Sequence, residues 1–198
     1  MKPNRSITFF DNQFQKQVAG SDYALNPFEN AALPFVRGRL LDLGCGLGNL
    51  GIEAARHGAT VVAVDGSEAA IKRIQATAMA EQLKIDAILA NVESFRIVEQ
   101  FDTIVAIGLL MFFTHENAVK LLADIQEHVA GGGIAVINVL IEGTTYLGMF
   151  EPGNYYLFGR DELEERFKGW GILLSRHNSF DAPGNTKKEF ATIVAQKP

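Results

Sequence analysis

The chain has 198 residues, the length of one ordinary domain, and 47% of them are hydrophobic, which is enough to bury a substantial core. The formal net charge is −5 and no basic run exceeds two residues, as in Lys187-Lys188, so the composition excludes a protein whose main partner is a phosphate backbone. The single cysteine, Cys45, excludes an internal disulfide and cannot by itself form a zinc site, and it suits a reducing compartment.

Apolar runs that resemble strands alternate with helical periods from residue 39 onward. This alternation is typical of a parallel sheet covered by helices on both faces. Strands are predicted at residues 40–43, 60–64, 85–89, 101–107 and 134–139. Helices are predicted at 48–57, from the N-cap Ser67 to residue 83, and from the N-cap Thr114 to a stop at the glycines 131–133.

The last third of the chain is less regular. Residues 142–159 are rich in aromatic residues and glycines without a clean period, which predicts a functional loop over one end of the sheet. A short helix is predicted at 161–167 and strands at 170–177 and 189–195. The turn residues Pro183-Gly184-Asn185 lie between these strands, so the two strands are expected to pair as an antiparallel hairpin at the sheet edge.

Three glycines, Gly44, Gly46 and Gly48, stand at alternate positions where the first strand gives way to a helix. Glycine there lets the backbone turn tightly and approach a ligand, and the start of the helix offers free N–H groups to an anion. Asp65 ends the second strand beside this turn, where a carboxylate can accept hydrogen bonds from both hydroxyls of a ribose. The arrangement predicts a nucleotide ligand.

The identity of the nucleotide depends on Asp42 and Asn49. Asn49 replaces the last glycine of the dinucleotide pattern GxGxxG. Asp42, two residues before the first glycine, would repel a doubly charged pyrophosphate. S-adenosylmethionine fits better, because its ammonium group can be held by Asp42 and it has only one carboxylate for the turn.

These motifs resemble those of class I S-adenosylmethionine-dependent methyltransferases from about Leu40 to Val139, and Phe101 to Val105 is similar to their fourth strand. The resemblance implies a doubly wound, Rossmann-like α/β fold with a seven-stranded sheet, mostly parallel with an antiparallel last strand. It also implies adenine contacts from Asn91 and Val92, although the family more often has an acid at the first position. The expected cofactor-binding residues are Asp42, Gly44, Cys45, Gly46, Gly48, Asp65, Gly66, Asn91, Val92, Ile107 and the cap residue Tyr23.

The second half is similar to the tellurite-resistance methyltransferases and to the thiopurine type, which act on sulfur, selenium or tellurium. The similarity is carried by 110–113, 155–158, 161–163, Gly169-Trp170 and 190–192. This subgroup tends to place basic residues around the final hairpin, where this chain has Ser179, Phe180 and Thr186. The acceptor does not follow from the resemblance.

Methyl transfer is an in-line displacement, so orientation and exclusion of water dominate and a dedicated base is optional. Donor and acceptor are expected to meet beyond the fourth and fifth strands. His115 is the candidate acid or base there, with an exposed first-turn helix position as its alternative role. Candidate substrate contacts are Met111, Phe112, Tyr146, Tyr155 and Phe158, and the aromatic residues among them are equally compatible with plain packing.

One domain is expected, divided into an N-terminal helical cap (1–35), a cofactor-binding core (36–140) and a lid with C-terminal edge strands (141–198). The predicted partner is a small-molecule methyl acceptor, with no nucleic acid, membrane or metal, in a cytoplasmic monomer or homodimer. No apolar run reaches the roughly 18 residues of a membrane span and the start lacks an apolar signal core. Two alternatives remain: a nicotinamide-dependent oxidoreductase, and a protein that binds S-adenosylmethionine without catalysis.

Overall fold

The computed structural model describes residues 5–20 and 23–198, and its centre is a seven-stranded sheet in the order β3-β2-β1-β4-β5-β7-β6. The strands are β1 (Arg39–Leu43), β2 (Thr60–Asp65), β3 (Ile85–Leu89), β4 (Phe101–Ile107), β5 (Val129–Leu140), β6 (Gly171–Ala182) and β7 (Thr186–Gln196). Among these seven strands β7 alone runs opposite to the other six, and it pairs antiparallel with both β5 and β6. The predicted fold is therefore confirmed, including the edge hairpin.

Six α-helices are present in the described part of the chain. They are α1 (Arg5–Gly20), α2 (Pro27–Ala32), α3 (Asn49–Arg56), α4 (Glu68–Glu81), α5 (His115–His128) and α6 (Glu162–Arg166). The predicted caps are in place, since the Ser67 side chain accepts from the N–H of Ala70 and the Thr114 side chain from that of Asn117. None of the described helices combines the length and hydrophobicity needed to cross a membrane.

Alternate residues of the central strands enter two separate cores, one on each face of the sheet. Leu41 packs on one face in the core that contains residues of α5 and α6. Leu40 packs on the other face in the core that contains residues of α3 and α4. The helices consequently cover both faces, as the sequence predicts.

The start of β5 differs from the prediction. The helix α5 ends at His128, but β5 begins at once at Val129 and includes the three glycines that were expected to separate the two elements. Val129 pairs with Phe101, and the register with β4 then shifts before Thr103 pairs with Ile134. The glycines are therefore the irregular start of a strand.

The N-terminal segment, predicted as a helical cap, contains the helices α1 and α2, while residues 1–4 and 21–22 of that prediction lie outside the described residues. Residues 142–159 form turns with the isolated bridges Ile141–Phe158 and Glu151–Asn154 instead of a regular element. The division into cap, core and lid remains a prediction.

Candidate functional site

A cavity of about 400 Å³ opens at the carboxyl ends of the parallel strands, the end at which α/β sheets bind ligands. Its walls come from the glycine turn, from the ends of β2, β4 and β5, from α1 and α2, and from β7. Eleven of the predicted site residues line it: Asp42, Gly44, Cys45, Gly46, Asp65, Gly66, Asn91, Val92, Ile107, Met111 and Phe112. Residues predicted from separate parts of the chain thus meet at one cavity.

The glycine turn needs the backbone freedom of glycine. Gly44, Gly46 and Gly48 all have positive φ, between 52° and 70°. A Cβ on Gly46 would also lie 3.1 Å from Cζ of Phe14, so the turn and the ring of α1 touch. Gly48 does not line the cavity. Glycine is required there by the packing of the turn, because a Cβ would lie 2.6 Å from the Ile74 side chain.

Most N–H groups of the turn are already bonded within the protein. Those of Gly44 and Cys45 donate to the carbonyl of Val64, and that of Gly48 donates to the carbonyl of Cys45. The helix α3 that follows has no side-chain N-cap. Its first-turn N–H groups are therefore the donors that an anion could use here.

Asp65 is part of this local structure. Its Oδ2 accepts from the N–H of Gly46 at 2.9 Å and its Oδ1 accepts from the N–H of Ser67 at 2.8 Å. Burial raises the pKa of Asp65, although these hydrogen bonds oppose the rise. The carboxylate thus stabilises the turn and retains lone pairs toward the cavity.

Asp42 lies in β1 and is buried, with 5% of its surface exposed. Burial, together with the negative charges of Glu29 and Asp65, raises the pKa of Asp42 to about 8. No described residue donates a hydrogen bond to its side chain. An uncompensated buried carboxyl facing a cavity attracts a cation and opposes an anion.

Glu29 forms an acidic region together with Asp42 and Asp65, and the sequence did not predict its place there. It forms a capping box at the start of α2, where its Oε2 accepts from the N–H of Asn26 at 2.7 Å. Burial also raises the pKa of Glu29. The acidic and basic side chains among the described lining residues are four carboxyl groups, at Glu29, Asp42, Asp65 and Glu93, and one ammonium, at Lys188.

Two lining residues carry buried acceptors without a partner in the described part of the chain: Oδ1 of Asn49 and Oδ1 of Asn138. Asn91 is different, because its Oδ1 accepts from the N–H of Glu93 at 3.0 Å and closes a turn. Its amide nitrogen makes no such bond among the described residues. Asn138 could have been noticed in the sequence as the only polar residue in the apolar run 134–141.

The cap closes one side of the cavity with aromatic rings. The ring of Phe10 lies 5.2 Å from that of Phe112 and 5.9 Å from that of Phe14. The cap is attached to α4, since the Ser67 hydroxyl donates to Asp11. Tyr23 does not line the cavity, but its ring lies 3.9 Å below the guanidinium of Arg73, which donates to the carbonyl of Leu47 in the turn.

Cys45 lines the cavity as a buried thiol. Burial raises the pKa of Cys45, and the nearby carboxylates of Asp42 and Asp65 raise it further. The thiol therefore stays protonated and is a poor nucleophile. This environment agrees with a role for Cys45 as a small residue in the turn.

Four other predicted residues lie outside the cavity lining. His115 packs against Tyr156, with the ring centres 4.6 Å apart. The Tyr146 ring lies under the ammonium of Lys188, and Tyr155 stacks on Phe150. Phe158 is fully buried. Their roles in catalysis or acceptor binding remain predictions.

Comparisons with known proteins give a consistent picture. The family model of the tellurite resistance protein TehB matches residues 9–194. A probable S-adenosyl-L-methionine-dependent methyltransferase TehB of Haemophilus influenzae (strain 10810) is 31% identical over 165 residues, covering 80% of this chain and 57% of the relative. The chain therefore spans somewhat more than half the length of that relative.

Solved structures share the fold. The crystal structure of TehB from Haemophilus influenzae superposes with a TM-score of 0.77 at 26% identity, covering 92% of this chain and 65% of the other. The N-methyltransferase NodS from Bradyrhizobium japonicum WM9, crystallised with S-adenosyl-L-homocysteine, superposes with a TM-score of 0.69 at 16% identity. The superposition covers 96% of this chain and 98% of NodS, and at this identity it shows a shared fold.

Proposed function

The chain belongs to the TehB family of tellurite resistance proteins, and from this membership we propose that it is an S-adenosylmethionine-dependent methyltransferase. The acceptor is a small molecule that presents a sulfur, selenium or tellurium nucleophile. The name of the Haemophilus influenzae relative supports the cofactor. The cavity supports a ligand of limited size, since about 400 Å³ lies in the range of small-molecule sites.

The buried carboxyl of Asp42 is the observation that carries the proposal. It lies beside the glycine turn without a donor among the described residues, with Glu29 and Asp65 close enough to raise its pKa. A pyrophosphate would add two negative charges to this acidic region. An ammonium group would satisfy Asp42 and Glu29, so the residues present fit a cationic nucleoside.

The remaining residues fit the other parts of S-adenosylmethionine. Asp65 would accept hydrogen bonds from the ribose hydroxyls, the amide of Asn91 and the side chain of Val92 would contact the base, and the start of α3 would receive the carboxylate. When bound, the cofactor supplies a methyl group activated by a positively charged sulfur. The protein holds the two reactants in line and excludes water with the rings of α1, an orientation effect that contributes several kcal/mol or more.

A methyl-transfer assay tests this function. The protein is incubated with methyl-labelled S-adenosylmethionine and a panel of thiols, selenite, tellurite and small phenols. We expect label to enter at least one sulfur, selenium or tellurium acceptor. Binding of the cofactor without transfer to any panel member would favour the non-catalytic alternative, and transfer to phenols alone would contradict the proposed acceptor class.

A further inference from the structure

Asn138 is a polar residue in the middle of an apolar strand, and half of its amide is unpaired. Its side chain is fully buried, with 0% of its surface exposed. Nδ2 donates to the Thr192 hydroxyl oxygen at 2.8 Å and points toward the carbonyl of Ala191 at 3.5 Å. Because a carbonyl can only accept, this contact orients the amide nitrogen toward β7. Oδ1 is left without a partner in the described part of the chain.

The register of the sheet places Asn138 in the cavity lining, on the side formed by β5 and β7. Asn138 is paired with Ile107 of β4 on one side and with Thr192 of β7 on the other. Leu140, two residues later, faces Phe190 and lines the same cavity. Asp42 lies two strands away, on β1. Asn138 therefore lines the cavity on the side away from Asp42 and its neighbouring carboxyl groups.

Burying a carbonyl oxygen without a hydrogen bond is unfavourable, and native proteins rarely retain such a group. A donor from the bound molecule removes the penalty. We propose that Oδ1 of Asn138 accepts a hydrogen bond from the methyl acceptor, which is therefore a protic molecule with an S–H, Se–H, O–H or N–H group. This inference rests on the proposed methyltransferase function and narrows its acceptor class.

The amide oxygen is too weakly basic to remove a proton, so its contribution is selection and orientation. A hydrogen bond from the acceptor fixes the direction of the remaining lone pairs, which is the requirement for in-line attack. As a lone pair forms the new bond to the methyl carbon, the bond from that carbon to the cofactor sulfur would break, and the methylated acceptor, now strongly acidic, would lose its proton to solvent. Thiols, selenols and hydroxylated oxyanions satisfy it. Thioethers, which have no proton to donate, leave Oδ1 unpaired and are rejected.

The test measures binding to the protein saturated with S-adenosylhomocysteine, so no turnover occurs. The probes are phenol and fluorobenzene, which differ mainly in the hydrogen-bond donor. We expect wild-type protein to bind phenol about tenfold more tightly, the factor that one hydrogen bond provides. Asn138→Val, which keeps a similar volume, is expected to bind both probes equally.

Thr103→Val is the matched control. Thr103 is a fully buried polar residue of β4 whose hydroxyl donates to the carbonyl of Arg37, and it does not line the cavity. This variant is expected to keep the preference for phenol. A general loss of sheet stability would affect both variants, whereas the proposed contact affects only Asn138→Val.

Several results would overturn the inference. Wild-type protein that binds both probes equally, or neither, contradicts it without any variant. An unchanged phenol preference in Asn138→Val contradicts it as well, and weaker S-adenosylhomocysteine binding in that variant would assign the oxygen to the cofactor. Wild-type protein that does not bind S-adenosylhomocysteine at all instead refutes the proposed function.

Discussion

Asp42 connects cofactor binding to protons. Because burial and two neighbouring carboxylates raise its pKa from 3.8 to about 8, the side chain is largely protonated at neutral pH in the ligand-free protein. An ammonium group binds the ionised form, so binding must release this proton. Affinity for a cationic ligand should therefore increase as the pH rises toward the pKa of Asp42.

Titration of the protein with S-adenosylmethionine between pH 6 and pH 7.5 tests this linkage. We expect the affinity of the wild-type protein to rise by up to about tenfold per pH unit. Asp42→Asn is expected to bind about a hundredfold more weakly at pH 7.5, because it leaves the cation without its buried partner. The dependence on pH should largely disappear in this variant.

Asp86→Asn is the control for that titration, since Asp86 is an exposed strand carboxylate outside the cavity lining. It should behave as the wild type does. Equal pH dependence in Asp42→Asn and wild-type protein would show that another group takes up the proton.

His115 lies at the start of α5 and packs on Tyr156. The position outside the cavity lining favours packing over proton transfer, so His115→Ala should keep methyl-transfer activity within about twofold. General acid or base catalysis typically contributes a factor of about 10² or more. A loss of that size, with unchanged thermal stability, would assign the histidine to the reaction.

The helix α1 is the element that completes the cavity. Its Phe14 ring approaches the glycine turn, and its Asp11 is joined to Ser67 at the start of α4. Both contacts join the cap to residues that line the cavity, Gly46 and Ser67. We therefore expect α1 to affect cofactor retention more than the folding of the sheet.

Phe14→Ala removes the ring that covers Gly46. The loss of apolar contact should cost about 1–2 kcal/mol, or roughly tenfold in the dissociation constant of S-adenosylmethionine, mainly through faster release. Stopped-flow dissociation measurements check this. Gln15→Ala, an exposed position on the same helix outside the lining, should release the cofactor at the wild-type rate.

The strands and helices of the sheet could be predicted because each carries its own local signal. Residues 61–64 of β2 are continuously apolar, and Ser67 is a residue type that caps helices. The start of β5 at Val129 could not be predicted, because it depends on pairing with Phe101 and not on the local glycines. Tertiary pairing here prevails over turn propensity.

The site residues also divide into those that the sequence predicts and those that it does not. Asp42, Gly46 and Asp65 could be identified because motif spacing brings strand ends together in any doubly wound sheet. Phe14, Glu29 and Lys188 reach the cavity from the cap and the hairpin, and nothing local in the sequence specifies those contacts. His115 has the right residue type near the right strand, yet its helix turns it toward Tyr156.

Considered as one body, the protein joins a sheet, a cap and an edge hairpin around one cavity with mainly acidic side chains. Four carboxyl groups and one ammonium line it among the described residues. The chain as a whole also has a negative formal net charge, −5. Such a protein should select a cationic nucleoside over a dinucleotide with two phosphates.

Calorimetric titration with S-adenosylmethionine, S-adenosylhomocysteine and NAD at pH 7.5 tests that selection most directly. We predict saturable binding of the first two with one site each, and no measurable binding of NAD at the same concentrations. Tight binding of NAD, with no heat from either nucleoside, would contradict the assignment of the cavity to S-adenosylmethionine.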